Sequence, residues 1–477
     1  MNTQAAPTLY KELHRPQFHF TSQRYWINDP NGLVYYRGEY HLFFQYSPGF
    51  MNHAPNSWGH AVSRDLVHWQ QIEDGLEPDG YGWIWSGSAV VDTNNTTGFK
   101  QGDDDPIVAI YTTGGFGEPG NPCVQSIAYS TDSGRTFTKY AHNPVLGHIR
   151  AANRDPKVIW HAPTGRWVMA LYLDGNDYAL FGSHDLIEWD HLCDLTVEGT
   201  GECPDFIELP IDGDPANTRW VFWGAAGVYR IGTFDGQTFT PETPALRAEY
   251  GANGYAAQTW SNVPAEDGRQ IQISWMAGGK YPSMPFNQQL SFPVELALRT
   301  TPDGVRLFRS PVREIERLHA RKQEWRYYIL RSGIDRRAMF VRFGPNWRDH
   351  MPDAHANLIP DTTADLFDIR AEIEPGDAAA FGAIIHGHAL HYDTASQQFN
   401  YLGRDIPAKL DADGRLRLQI LVDRTSLELF IGGGRVSASF CFLPNSCDYP
   451  LEFYAKDGNV RIHSLTIHEL DSIYDEF

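Results

Sequence analysis

The chain has 477 residues, 42% of them hydrophobic, which suffices for sizeable cores in two or three domains, or in one large all-β unit with a smaller companion. Its net charge of −20, unrelieved by any basic run, rules against nucleic acid as a partner and points to a neutral one. Five scattered cysteines, odd in number and without Cys-x-x-Cys pairs, rule against a disulfide framework or a thiolate metal site and point to a reducing compartment.

Met1–Phe20 contain no signal-peptide core and no apolar run nears membrane-spanning length, so a soluble cytoplasmic protein with no membrane partner is expected. Along the chain, short apolar or alternating runs recur between Gly, Pro, Asn and Asp, an all-β signature. The first is Leu33–Tyr36, entered through Trp26-Ile27-Asn28-Asp29-Pro30-Asn31-Gly32. There Pro30 holds Asp29 out of the helical region, and Asn31-Gly32 reads as a turn. Asp29 is then either a carboxylate set at the mouth of a strand or an acceptor in an Asx turn.

Further on, a hydroxyl residue, a spacer and an Asp, followed by an aromatic, recur five times. The copies are Ser63-Arg64-Asp65 with Trp69, Ser130-Thr131-Asp132 with Phe137, Ser183-His184-Asp185 with Trp189, Thr233-Phe234-Asp235 with Phe239, and Thr301-Pro302-Asp303 with Phe308. Spacings of 50 to 68 residues suit propeller blades. Between the copies, a polar stretch repeatedly enters a strand that leads by a turn to a second, apolar strand. The entries are Asp29, Ser86-Gly87-Ser88, Arg154-Asp155-Pro156, Glu202-Cys203-Pro204-Asp205 and Gln258-Thr259-Trp260. If each opens the innermost strand of a blade, all five face one central channel. Residues 1–310 are therefore expected to form a five-bladed β-propeller. Residues 311–334 are expected as a linker with a short helical stretch at Pro311–Leu318. Residues 335–477 are expected as a β-sandwich, its strands at Ala364–Glu374, Arg415–Val422, Ser426–Ile431 and Val460–Glu469, with a Gly432-Gly433-Gly434 hairpin turn. Residues 335–360 are left unplaced.

Three acids stand beside a proline or a Cys-Pro: Asp29, Asp155 and Glu202. Two carboxylates across a glycosidic bond, one ionised and one protonated, are the minimum for hydrolysing it, and crowding raises the pKa of one of them. Aromatic residues at 13%, including 14 Trp and 23 Tyr, suit strands and sugar stacking, with Trp83 and Trp85 as candidates beside core packing. His386-Gly387-His388 with His391 is read as a polar strand face rather than a metal site, since no acid or Cys completes a ligand set. Gly114-Gly115-Phe116-Gly117 is followed by Glu118-Pro119 and not by a helix with a Lys, which argues against a phosphate loop.

Seven motifs in order resemble glycoside hydrolase family 32, the β-fructosidase family of invertases, exo-inulinases and levanases. They are Trp26–Gly32, Phe43–Pro48, Trp58-Gly59-His60-Ala61, Trp85–Ser88, Arg154–Pro156, Glu202–Asp205 and Ala257–Trp260; Ser426–Gly434 resembles the family's C-terminal sandwich. The resemblance implies a five-bladed propeller catalytic domain, a C-terminal sandwich, and retaining release of β-fructofuranosyl units from sucrose or fructans. It implies Asp29 as nucleophile, Glu202 as acid and base, and Asp155 on the fructose hydroxyls. Asn28, Gln45, Trp58, Trp85, Ser86, Arg154 and Tyr255 are the substrate-binding candidates. Retention implies Asp29 and Glu202 carboxyls about 5–5.5 Å apart. No metal or cofactor is implied, and the oligomeric state stays open. Asn253-Gly254-Tyr255-Ala256, Gly279 and an aromatic missing from the Gly49–Asn56 loop depart from the family. They leave the preferred substrate open, with fructosyl transfer, restriction to long levan or inulin, and a non-catalytic fructan-binding propeller as alternatives.

Overall fold

The computed structural model describes residues 9–54, 56–115, 121–332, 358–359, 362–447 and 449–474. The structure is all-β. Among these residues the only helical elements are 3-10 turns at Ala162–Thr164 and Arg313–Leu318. Two compact units divide the chain. The first takes in Phe18–Glu249 and Asn253–Ile315, the second His14–Gln17, Tyr250–Ala252 and Glu316 onward.

The first unit is built from antiparallel four-stranded meanders. Their first strands are Tyr25–Tyr36, Trp83–Val91, Arg154–His161, Asp205–Ile211 and Gly254–Thr259. These five neighbour one another in cyclic order. Asn31 Oδ1 accepts from the Gly87 N–H, and Ser88 Oγ donates to the Pro156 carbonyl. The Cys203 N–H donates to Asp155, and Thr259 Oγ1 donates to Asp205. The ring closes where the Ser261 N–H donates to the Leu33 carbonyl. Apolar layers between meanders fill the body, for example Val90, Ile110, Ile127, Val158 and Met169 between the second and third.

The five-copy repeat occupies the turn between third and fourth strands in every meander. In the first, Asp65 Oδ1 accepts from the Val67 and His68 N–H groups and from Ser63 Oγ. Asp185 repeats this with Ile187, Glu188 and Ser183. The following Trp69 and Trp189 each return an indole N–H to the carbonyl of the left-handed residue in the turn, Leu66 or Leu186, at 3.1 Å. In these two copies the repeat is thus a side-chain-closed turn with an aromatic plug.

In the second unit, six strands run in the order His319–Arg331, Asn459–Leu470, Phe367–Glu374, Leu416–Asp423, Ser426–Ile431, Val436–Cys441. A second sheet holds Arg404–Pro407, Gln398–Tyr401, His388–Asp393, Ala380–Ile385 and Leu451–Lys456. One buried cluster, including Phe367, Ile420, Leu429, Phe381, Tyr392 and Tyr401, draws on both sheets.

Several expectations need correction. The 311–334 stretch connects only as far as Leu318; His319–Arg331 is a full strand paired with Asn459–Leu470. Its Lys, Arg and Glu side chains, usual on an edge strand, hid its alternation. Asn31-Gly32 is not a turn ahead of a strand, because one strand runs unbroken from Tyr25 to Tyr36 with register shifts inside it. His386-Gly387 is a hairpin turn between Ile385 and His388, with both residues at positive φ, and not part of a strand face. His386, His388 and His391 bond separately to the Asp365 carbonyl, the Leu443 carbonyl and the Tyr454 hydroxyl. Residues 335–360, apart from Leu358 and Ile359, and Phe116–Pro119 of the glycine-rich run lie outside the described residues.

Candidate active site

Four of the five first strands break register at the same end. The shifts fall between Ile27 and Pro30, Ile84 and Gly87, Arg154 and Lys157, and Tyr255 and Gln258. A bulge lets two residues oppose one, which swings a side chain out of strict alternation. Asp29, Ser86 and Asp155 sit within these bulges, and Tyr255 borders the fourth. Pro30 and Pro156 suit such places because they have no N–H for a ladder bond. The remaining first strand instead starts after Glu202 and Cys203, both left-handed at φ 55° and 36°. Asp155 and Ala256 are left-handed as well, at φ 62° and 51°. Four left-handed non-glycine residues therefore stand at this end of the ring, beside the bulges.

The bulges converge on a cavity of about 360 Å³ lined by Trp26, Asn28, Asp29, Gln45, His53, Trp85, Arg154, Asp155, Glu202, Cys203, Tyr255 and Trp275. Of the ten candidates, eight line it. Ser86 is buried just behind and donates to Asp29 Oδ2 at 2.6 Å. Trp58 does not reach the cavity, contrary to expectation. It is fully buried one layer below, against Phe43 and Tyr111, and its indole N–H donates to the Trp85 carbonyl at 2.9 Å. Its ring is needed in the core beneath the bulge, where Gly32 at φ 54° leaves no room for a Cβ.

Asp29 is held by a chain of amides. Gln45 Nε2 donates to Ser86 Oγ at 2.6 Å, while Gln45 Oε1 accepts from Asn28 at 2.9 Å and Asn56 at 2.6 Å. Trp26 donates its indole N–H to Asn28 Oδ1 at 3.1 Å. With amide and hydroxyl protons already directed, Asp29 has one orientation. Glu202 is gripped on both oxygens: Arg154 Nη2 donates to Oε1 and the Tyr255 hydroxyl to Oε2. Arg154 Nε also lies 3.5 Å from Asp155 Oδ2, so one guanidinium joins two acids, and it rests over the Tyr172 ring at 4.6 Å. Asp155 accepts from the Cys203 N–H at 3.1 Å.

Charge is crowded here. Burial, then the Glu202 charge, pushes the Asp29 carboxyl above the ordinary carboxylate range, opposed by bonds from Ser86, Asn28 and Cys203. Burial pushes Asp155 up to about 7, helped by Asp29 and Glu202 and opposed by Arg154. Burial and the three carboxylates hold the Cys203 thiol well above its usual value; its Sγ lies 3.5 Å from both Asp29 and Asp155. Three carboxylates facing one guanidinium favour a proton held within the set near neutrality.

Sequence reasoning missed parts of the wall. His53 carried no motif, yet from the Gly49–Asn56 loop its ring lies 5.6 Å from the Trp85 ring and Asn56 Nδ2 bonds to its Nε2 at 3.0 Å. That loop therefore does present an aromatic ring to the cavity. Trp275, which was not among the substrate-binding candidates, lies edge-on to both Trp26 and Tyr255. Trp83 stays outside the lining. For Trp275 the available signal was an aromatic at a strand end that faces the same mouth; for His53 there was none.

A sugar-sized pocket walled by indoles and furnished with three acids defines a glycosidase. The comparisons make the class specific. The description "Glycosyl hydrolases family 32 N-terminal domain" matches residues 19–311, and "Glycosyl hydrolases family 32 C terminal" matches 348–469. A levanase from Bacillus subtilis (strain 168) is 37% identical over 98% of this chain and 72% of its own. An extracellular exo-inulinase from Aspergillus niger is 29% identical over 98% and 96%. Among solved structures, exo-inulinase from Aspergillus awamori superposes with a TM-score of 0.84 at 27% identity, covering 98% of this chain and 100% of that one. A fructofuranosidase from Schwanniomyces occidentalis complexed with fructose gives 0.80 at 26%, again over 98% and 100%. The chain belongs to family 32 of the glycosyl hydrolases.

Proposed function

We propose that this enzyme releases terminal β-D-fructofuranosyl residues from sucrose, fructo-oligosaccharides or fructans by double displacement with retention. Asp29 attacks C2 of the terminal fructosyl unit while Glu202 gives a proton to the leaving oxygen. A covalent fructosyl–Asp29 ester forms and the shortened sugar departs. Glu202, now a carboxylate, takes a proton from water, the water oxygen attacks C2, and the ester bond breaks to free fructose and restore Asp29. Asp155 and Arg154 bind fructose hydroxyls and support the oxocarbenium-like transition state. The proposal includes the carboxyl separation of about 5–5.5 Å that retention needs.

The observation that carries this reading is one cavity holding Asp29, Asp155 and Glu202, although Glu202 stands 173 positions beyond Asp29 in the sequence. The relatives are named levanase, exo-inulinase and fructofuranosidase, which supports fructose as the glycosyl unit. In the same proposal the first unit is a five-bladed propeller, supported by its cyclic ring of first strands, and the second a β-sandwich, supported by two sheets on one core. Five scattered cysteines, odd in number and without Cys-x-x-Cys pairs, support a cytoplasmic setting, which cell fractionation checks.

The test is product analysis with sucrose, 1-kestose, inulin and levan. Free fructose with no new oligosaccharides is the expected result. Longer products would reassign the enzyme as a fructosyltransferase, and no turnover of any of the four would refute the reading.

A further inference from the structure

A second cavity, of about 480 Å³, opens at the opposite ends of the same first strands. Asp155 and His161 lie at the two ends of one strand, six residues and so about 20 Å apart. Four of the five first strands contribute, through Val91, His161, Glu208 and Thr259. At its base the buried Lys157 ammonium donates to the Thr259 carbonyl at 2.6 Å and lies 3.3 Å from Asp205 Oδ1, so its charge is matched. The walls are aromatic, with Trp160, Trp167, Trp220, Trp260 and Phe206. Among the described residues, the indole N–H groups of Trp160 and Trp220 and the side-chain amides of Asn94 and Gln270 make no hydrogen bond. Glu208 Oε1 accepts from Thr218 Oγ1 at 2.5 Å, which leaves Oε2 for a guest.

Indole surfaces, unengaged donors and acceptors and a matched internal cation suit a neutral ligand with both C–H faces and hydroxyls. We propose that this cavity is a second carbohydrate site, which binds a neutral fructan oligosaccharide without cleaving it. Cleavage needs two carboxylates across the bond, and Glu208 is the only one that lines the cavity among the described residues. The choice of fructan rests on the proposed function; the site itself does not.

Equilibrium dialysis of radiolabelled 1-kestose against the Asp29→Ala full chain reads the stoichiometry at saturation. Two molecules per chain are expected. Thr93→Arg, at the exposed rim, places a long side chain across the mouth, and Trp160→Ala removes a wall. Either one added to Asp29→Ala should reduce the count to one, and Thr93→Arg alone should hydrolyse sucrose at an unchanged rate. Thr93 is an exposed residue, so Thr93→Arg keeps the test open if Trp160→Ala fails to fold. One molecule per chain in Asp29→Ala, or two persisting with Thr93→Arg, overturns the second site while sucrose hydrolysis by wild type leaves the proposed function standing. No binding together with no hydrolysis overturns both.

Discussion

Replacing Asp155 by Asn should stabilise the enzyme above neutral pH while it damages turnover. Burial, partly offset by Arg154, raises the Asp155 carboxyl from 3.8 to about 7. An acid raised in this way holds its proton longer in the folded chain than in the unfolded one. Between pH 3.8 and about 7 the folded state therefore binds more protons, and stability falls as pH rises through that window. The rise from 3.8 to about 7 corresponds to roughly 4 kcal/mol of lost stability once pH exceeds 7. Asn removes this charge yet keeps a carbonyl oxygen for the Cys203 N–H. The assay is denaturant unfolding of both proteins at pH 4.5 and pH 8.5, with the variant's pH dependence subtracted from that of wild type. The variant should gain a few kcal/mol at pH 8.5 relative to its standing at pH 4.5, with kcat/KM for sucrose falling by roughly 100-fold or more as transition-state support is lost. An unchanged pH dependence of stability, or a variant weaker at pH 8.5 than at pH 4.5 relative to wild type, would refute the reasoning that a buried charge strains the fold here.

Other substitutions test separate parts. Asp29→Ala should lower turnover of sucrose by more than about 10,000-fold with an unchanged melting curve, since it removes the oxygen proposed to attack C2. Glu202→Gln should lose roughly 100- to 10,000-fold and recover much of it on a fructoside whose leaving group needs no proton; no such recovery would reassign Glu202. Tyr255→Phe deletes one bond to Glu202 and should reduce kcat/KM by about 10-fold without a change in far-ultraviolet circular dichroism. Gly32→Ala would place a Cβ 2.7 Å from the Phe43 ring and 2.8 Å from Trp58 at φ +54°, and calorimetry should show a loss of about 2–4 kcal/mol.

The legibility of the chain followed the range of the interactions. The repeat was readable because it is a local device: a Ser or Thr and an Asp close a turn through backbone N–H groups two or three residues away. The Gly432–Gly434 hairpin, the strands around it and the three acids were readable for the same reason. The His319–Arg331 strand was not, because an edge strand's charged residues look like a linker until a partner strand is known. Nor was the place of Trp58, whose motif says that it matters but not that it stands beneath the site.

By itself, then, the amino-acid order determined the all-β character, the five-part periodicity and which acids were chemically suspect, since propensity, turn closure and proline geometry act within a few residues. Only tertiary structure decided that Asp29, Asp155 and Glu202 share one cavity, that Arg154 joins two of them, and that His53 and Trp275 complete the wall. Those facts depend on a ring of strands closing and on bulges at one end of it. Closure is a contact between residues more than two hundred positions apart, such as Leu33 and Ser261, which no local pattern encodes.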